Sequence, residues 1–287
     1  MKHVLIPTDF SAASAHACHY ALRLAQVLPL NLHLLHVVSG PAHSPHPMGN
    51  EHEQDPTYEH AQEKMGQLIT ELRHKAQQLG LTIPISQGLR SGEVAAEVLH
   101  EIAQRGASLL ILGIKPRSLA YRIFVGSHAN HILEQAPVPV LAVPSGANFH
   151  GIRRCLYASA FDPADGPAID DLFHLFRALQ PQIEVVHIAD EGTDSLSEAE
   201  QHRLTEQLKT HLSAPHRLYP LETTILDSGN MFRALDAYTE QANIDLLAMT
   251  THRRSLFKRL FDPSLTEEVL FHTRVPLLVF RAGSRHD

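Results

Sequence analysis

VLIPTDFS at residues 4–11 and CLYASAFD at residues 155–162 read as one strand-and-turn segment written twice, 151 residues apart. A second pair, LHLLHVV at 32–38 and IEVVHIA at 183–189, shares that offset. RSGEVAAEVL at 90–99 and DSGNMFRALD at 227–236 are instead 137 apart, as are VPVLAV at 138–143 and VPLLVF at 275–280. The change places a deletion of 14 residues in the second half, where the first half carries SGPAHSPHPMGNEHEQDP. Two copies of one domain, residues 1–146 and 147–287, joined near SGANFHG, account for every offset.

Within the first copy, short apolar runs alternate with helical patterns. VLIP, LHLLHVV, TIPIS, SLLILG and VPVLAV read as five strands. ASAHACHYALRLAQVL, TYEHAQEKMGQLITELRHKAQQLG, GEVAAEVLHEIAQRG and SHANHILEQ read as four helices between them. Strands almost continuous in Val, Ile and Leu are buried on both faces, and short connections force right-handed crossovers into an open parallel sheet with helices on both faces. Ligands of such sheets bind beyond the carboxyl ends of the strands, which fall at Asp9, Val38, residues 88–92 and Gly113.

Composition narrows the function classes. The formal net charge of −7 argues against general nucleic-acid binding, which needs a concentrated basic surface. No run of about 18 apolar residues appears, and MKHVLIPTDF passes directly into a strand pattern. The expectation is a cytoplasmic protein with no membrane segment. Cys18 and Cys155 offer neither a disulfide framework nor metal spacing. Fourteen of the 22 histidines lie in residues 1–150, and His43, His46 and His52 in the Pro-rich insertion are weak candidate metal ligands without a fixed geometry. Walker-type, GxSxG, HExxH and CxxC patterns are all missing.

The ordered set IPTDFSAAS, LHVV, ILG with its long following loop, and VGSHANHILEQAPVPVLAVP, together with its second-half counterparts, resembles the universal stress protein family in its tandem form. That resemblance implies two five-stranded sheets of order 3-2-1-4-5, with the halves paired through their fifth strands as an internal pseudo-dimer. Nucleotide-binding members carry an Asp after the first strand and a loop G-x-x-G-x9-G-[ST] after the fourth. Here the loop positions hold Gly113, Pro116, Gly126 and Ser127, so three of four match. The resemblance assigns adenine nucleotide, ATP with Mg, to Pro7, Thr8, Asp9, Val38, Gly113, Gly126, Ser127 and His128. The chemistry is consistent: Gly126 and Ser127 open a helix whose free N–H groups favour phosphate oxygens. Asp9 accepts from a ribose or base edge, or simply caps the first helix beside Ser11. Pro116 removes an N–H and the positive φ that glycine would permit.

In the second half, Ala160 stands where Asp9 does, and Thr250, Arg253, Pro263 and Ser264 fill the four loop positions. Binding of ATP in the family manner is not expected there. Arg253, Arg254, Lys258 and Arg259 form a candidate anion-binding set, with a solvated basic loop as the simpler reading. His36 and His187 recur at equivalent strand ends, which points to a repeated structural role rather than catalysis. The expected function is therefore a stress-response protein whose first half binds ATP, with at most weak hydrolysis. The alternative is a nucleotide-free scaffold of the same fold that presents its surfaces to protein partners. Self-association into a homodimer stays open at this point.

Overall fold

A computed structural model describes residues 2–39, 56–114, 127–188, 197–212, 221–226, 231–251 and 275–282. The described residues divide into two compact units, the first ending at Ser145 and the second beginning at Gly146. Among the described residues no helix is long and apolar enough to cross a membrane.

In the first unit the strands are β1 (Lys2–Pro7), β2 (Leu30–Val38), β3 (Ile85–Ser91), β4 (Leu109–Ile114) and β5 (Val140–Pro144). All pair in parallel, in the order β3-β2-β1-β4-β5. Four helices connect them: α1 (Ala12–Leu24), α2 (Pro56–Gln78), α3 (Val94–Arg105) and α4 (Ser127–Gln135). α1 and α2 pack together over β4, β5, β2 and β3, while α3 contacts α4, β1 and β2. The apolar content of β1, β4 and β5 follows from this sandwiching, since Leu5, Ile6, Leu110, Ile111 and Leu141 are at most 1% exposed.

Local signals set the helix limits. Ser11 caps α1 by accepting from Ser14 N, and Gly106 ends α3 in the left-handed conformation at φ 59°. The helix α3 starts on the carboxylate of Glu93, which accepts from Ala95 N and Ala96 N. That carboxylate occupies the anion position of its own helix N-terminus. The expected third strand is corrected: it runs over ISQGLRS rather than TIPIS, so Gly88 lies inside β3 instead of beyond it. This strand is an edge strand in which every residue but Ile85 is exposed or partly exposed, and it lacks the apolar run that marks its neighbours.

The second unit repeats the plan with β6 (Arg154–Ala158), β7 (Gln182–Ile188), β8 (Glu222–Leu226), β9 (Leu246–Thr251) and β10 (Leu277–Arg281). Its order is β8-β7-β6-β9-β10, and its described helices are α5 (Asp165–Phe176), α6 (Glu198–Thr210) and α7 (Met231–Gln241). Registers transfer between units: Val4 faces Leu109 as Cys155 faces Leu246, and Leu110 faces Val140 as Leu247 faces Leu277. The third strand departs by one residue, because Leu34 faces Gln87 whereas Val185 faces Thr223.

Candidate functional site

The carboxyl ends of β1 and β4 meet the first turn of α1. Thr8, buried just beyond β1, donates through Oγ1 to Ser14 Oγ at 3.0 Å, and Ser14 Oγ donates to Asp9 Oδ1 at 2.8 Å. Asp9 Oδ1 also accepts from Ser11 N at 3.0 Å. The exposed Asp9 side chain therefore closes a turn and ties it to the helix. Between Asp9 and Ser11, Phe10 sits at φ 59°, a conformation that costs a bulky residue energy and persists only where neighbours fix it. Its N–H donates to Thr8 Oγ1 at 3.1 Å, and its ring lies 4.3 Å from that of His36. Lys64 Nζ of α2 stands 5.9 Å from the Phe10 ring centroid, within cation–π reach.

His36 Nδ1 lies 2.7 Å from the carbonyl oxygen of Thr8. A carbonyl can only accept, so Nδ1 carries a proton and donates it. His187 makes the same contact with Ser159 O at 2.9 Å, and its ring faces Phe161 at 4.8 Å. Phe161 also takes a positive φ, 55°. The histidine thus braces the turn after the first strand in both units, in line with the repeated role read from the sequence. Phe10 and Ser14, which complete that turn, were missed by motif reasoning. The signal available was their recurrence, as Phe161 and as a polar residue at position 165.

Gly113 ends β4 against α1. A Cβ built there would lie 2.2 Å from the carbonyl oxygen of Ala13, so the close approach of strand and helix requires glycine whether or not a phosphate is nearby. Val38 is buried at the end of β2, and its carbonyl accepts from Gly92 N at 3.1 Å. Pro7 is the last residue of β1, and Ser127 and His128 open α4. Gly126, Pro116, His43, His46, His52, Arg253, Arg254, Lys258 and Arg259 lie outside the described residues. Among the described residues, no group of three or more His, Cys, Asp and Glu side chains is gathered as metal ligands would be.

The second unit builds the same corner differently. Asp165, in the place of Ser14, is 1% exposed and accepts from Ser159 Oγ at 2.7 Å, Ala160 N at 3.1 Å and Asp162 N at 3.1 Å. Its other oxygen accepts from Tyr157 Oη at 2.9 Å. Tyr157 stands where the first unit has Ile6, and Thr250 where it has Gly113. The two hydroxyls are 2.5 Å apart, and since the phenol proton goes to Asp165, Thr250 donates to Tyr157. Burial pushes the Tyr157 phenol well above its ordinary range and the Asp165 charge adds to this, so it remains a donor. The carboxylate has moved from the exposed turn to the buried helix start, and larger side chains occupy the strand ends around it.

Comparison with known proteins fits both units. A model described as the universal stress protein family matches residues 1–144 and again 151–281. A solved universal stress protein from Archaeoglobus fulgidus is 18% identical over 98% of each chain, with a TM-score of 0.70. A putative universal stress protein from Pseudomonas aeruginosa is 15% identical over 98% of this chain and 93% of its own, with a TM-score of 0.59. At these identities the likeness is one of fold. No curated protein matches the sequence.

Proposed function

Since the chain belongs to the universal stress protein family, we propose that its first unit binds an adenine nucleotide, ATP with Mg, at the carboxyl ends of β1 and β4. The second unit serves as a structural or regulatory partner without a nucleotide of its own. The observation that carries this reading is the exchange at one corner of the repeated fold. Ile6, Asp9, Ser14 and Gly113 in the first unit correspond to Tyr157, Ala160, Asp165 and Thr250 in the second. In the second, four donors already converge on a buried carboxylate, so the turn after β6 satisfies itself. In the first, the carboxylate is exposed at the strand end, where a ribose or base donor approaches.

Each residue then has a physical task. Asp9 accepts from the ribose or base edge, while Ser11 and Ser14 hold its carboxylate in place. The amino end of α4, at Ser127, supplies N–H groups and the positive end of a helix dipole for phosphate oxygens. Domain limits near residue 146 and the turnover expectation, weak hydrolysis at most, belong to the same proposal. A competing reading, a nucleotide-free interaction protein, draws on Pro116 and on the hydrogen bonds that already engage Asp9 Oδ1. Denaturing extraction of freshly purified protein, followed by chromatography for adenine nucleotide, separates the two. Nucleotide recovered from the wild type and lost from Asp9→Ala supports the first reading. Neither extracted nucleotide nor measurable Mg-ATP binding supports the second.

A further inference from the structure

At the opposite, amino-terminal edge of the first sheet lies a cavity of about 290 Å³ lined by His3, Asn31, His33, Ser86, Gln104 and Arg105 with apolar neighbours. Strand pairing explains the polar set: His3 faces Asn31 and His33 faces Ser86. Alternation puts these side chains on one face, which α3 covers until it ends at Gln104 and Arg105.

The lining is polar in excess of its own needs. Among the described residues, four buried side-chain polar atoms have no hydrogen bond, and two of them, Asn31 Oδ1 and His33 Nε2, belong to this lining. His33 Nε2 is 3.2 Å from Glu101 Oε1 but outside hydrogen-bonding geometry, while its Nδ1 meets Ser86 Oγ at 2.8 Å. Glu101 is fully buried between Arg90 at 2.9 Å and Arg105 Nε at 2.5 Å. One carboxylate against two guanidiniums leaves one positive charge over. Burial, with Arg105 nearby, lowers His33 to about 4, so the imidazole adds no charge near neutral pH. Among the described residues, the two terminal nitrogens of Arg105 have no partner.

The second unit shows what belongs in this place. Arg154, the counterpart of His3, extends its guanidinium to Glu184, the counterpart of His33, and to the carbonyl of Ala242, the counterpart of Arg105. Tyr238, in the position of Glu101, donates to Glu184 at 3.1 Å. One unit therefore crosses the region with its own arginine, and the other leaves a space.

We propose that this space binds a small carboxylate bearing an adjacent hydroxyl or amino donor, with the carboxylate on Arg105 and the donor on Asn31 Oδ1. At water's share of about 30 Å³ per heavy atom the cavity holds a ligand of roughly ten heavy atoms. Guanidinium pairs carboxylates in a fork, and an orphaned amide oxygen selects for a donor beside it.

The test is saturation-transfer NMR on the full-length chain with glycolate, lactate and malate, beside the neutral ethylene glycol and propane-1,2-diol. The carboxylates are expected to give saturable signals near millimolar concentration, and the diols none. His3→Arg, which installs the second unit's guanidinium, and Asn31→Asp, which changes charge at nearly constant volume, should each weaken binding by about tenfold or more. Mg-ATP titration should be unchanged in both variants, which keeps this site distinct from the one at the other end of the sheet. Should His3→Arg fail to fold, Asn31→Asp decides alone. No saturable signal at about 20 mM from any carboxylate overturns the proposal. So do equal signals from the diols, or undiminished binding in the folded variants.

Discussion

Gly113 and Asp165 are the residues on which the two versions of the strand-end corner depend. Gly113→Ala would place a methyl group 2.2 Å from a backbone oxygen, so strand and helix must separate. The expected cost is roughly 2–4 kcal/mol in denaturant unfolding. Asp165→Ala would strand buried donors from Tyr157, Ser159, Ala160 and Asp162, and should cost at least about 3 kcal/mol. By contrast Asp9→Ala, at an exposed turn, should cost only about 0.5–1 kcal/mol. Equal losses for Asp9→Ala and Asp165→Ala would contradict the account. The sequence showed that Asp9 had been replaced by Ala160, because the repeats align without gaps there. It did not show that the carboxylate reappears five positions on. Asp165 reads as an ordinary acidic residue at a helix start until the fold brings Tyr157 and Thr250 onto it.

Among elements, α3 is tied to the sheet by charge as well as by Ala95, Val98 and Ile102. Glu101 joins it to Arg90 of β3, and His33 of β2 lies against the same carboxylate. Both titrations act in one direction. The His33 pKa is lowered from 6.5 to about 4, so the unfolded chain takes up a proton before the folded one does. Stability is lost as pH falls through that window, by roughly 3 kcal/mol for the full shift. Hydrogen bonds and charge from Arg105 and Arg90 hold Glu101 below its ordinary value against the cost of burial, so its contribution disappears at still lower pH. Unfolding free energy measured from pH 7 to pH 4 should decline, and His33→Gln should flatten the decline between pH 6.5 and 4. A slope unchanged by His33→Gln would refute this assignment. Periodicity located α1 through α4 because their apolar faces and caps are local features. It misplaced β3, whose sequence ISQGLRS is polar because an edge strand is partly solvated, while TIPIS, which overlaps it only at Ile85 and Ser86, imitates a buried strand.

Across the whole molecule, one chain carries two copies of a fold whose corresponding corners have diverged in opposite directions. Repetition made the architecture legible: equal offsets in the sequence became equal strand registers, apart from the single-residue departure at β8. Function was less legible, because whether a strand-end corner is open depends on side chains drawn from three separated segments. Binding is therefore expected to be asymmetric although the fold is symmetric. Calorimetric titration of the full-length protein with Mg-ATP tests this most directly, run beside Asp9→Ala and Ala160→Val. One nucleotide per chain, abolished by Asp9→Ala and untouched by Ala160→Val, is the predicted result. Two nucleotides per chain, or one that survives Asp9→Ala and disappears with Ala160→Val, would contradict it.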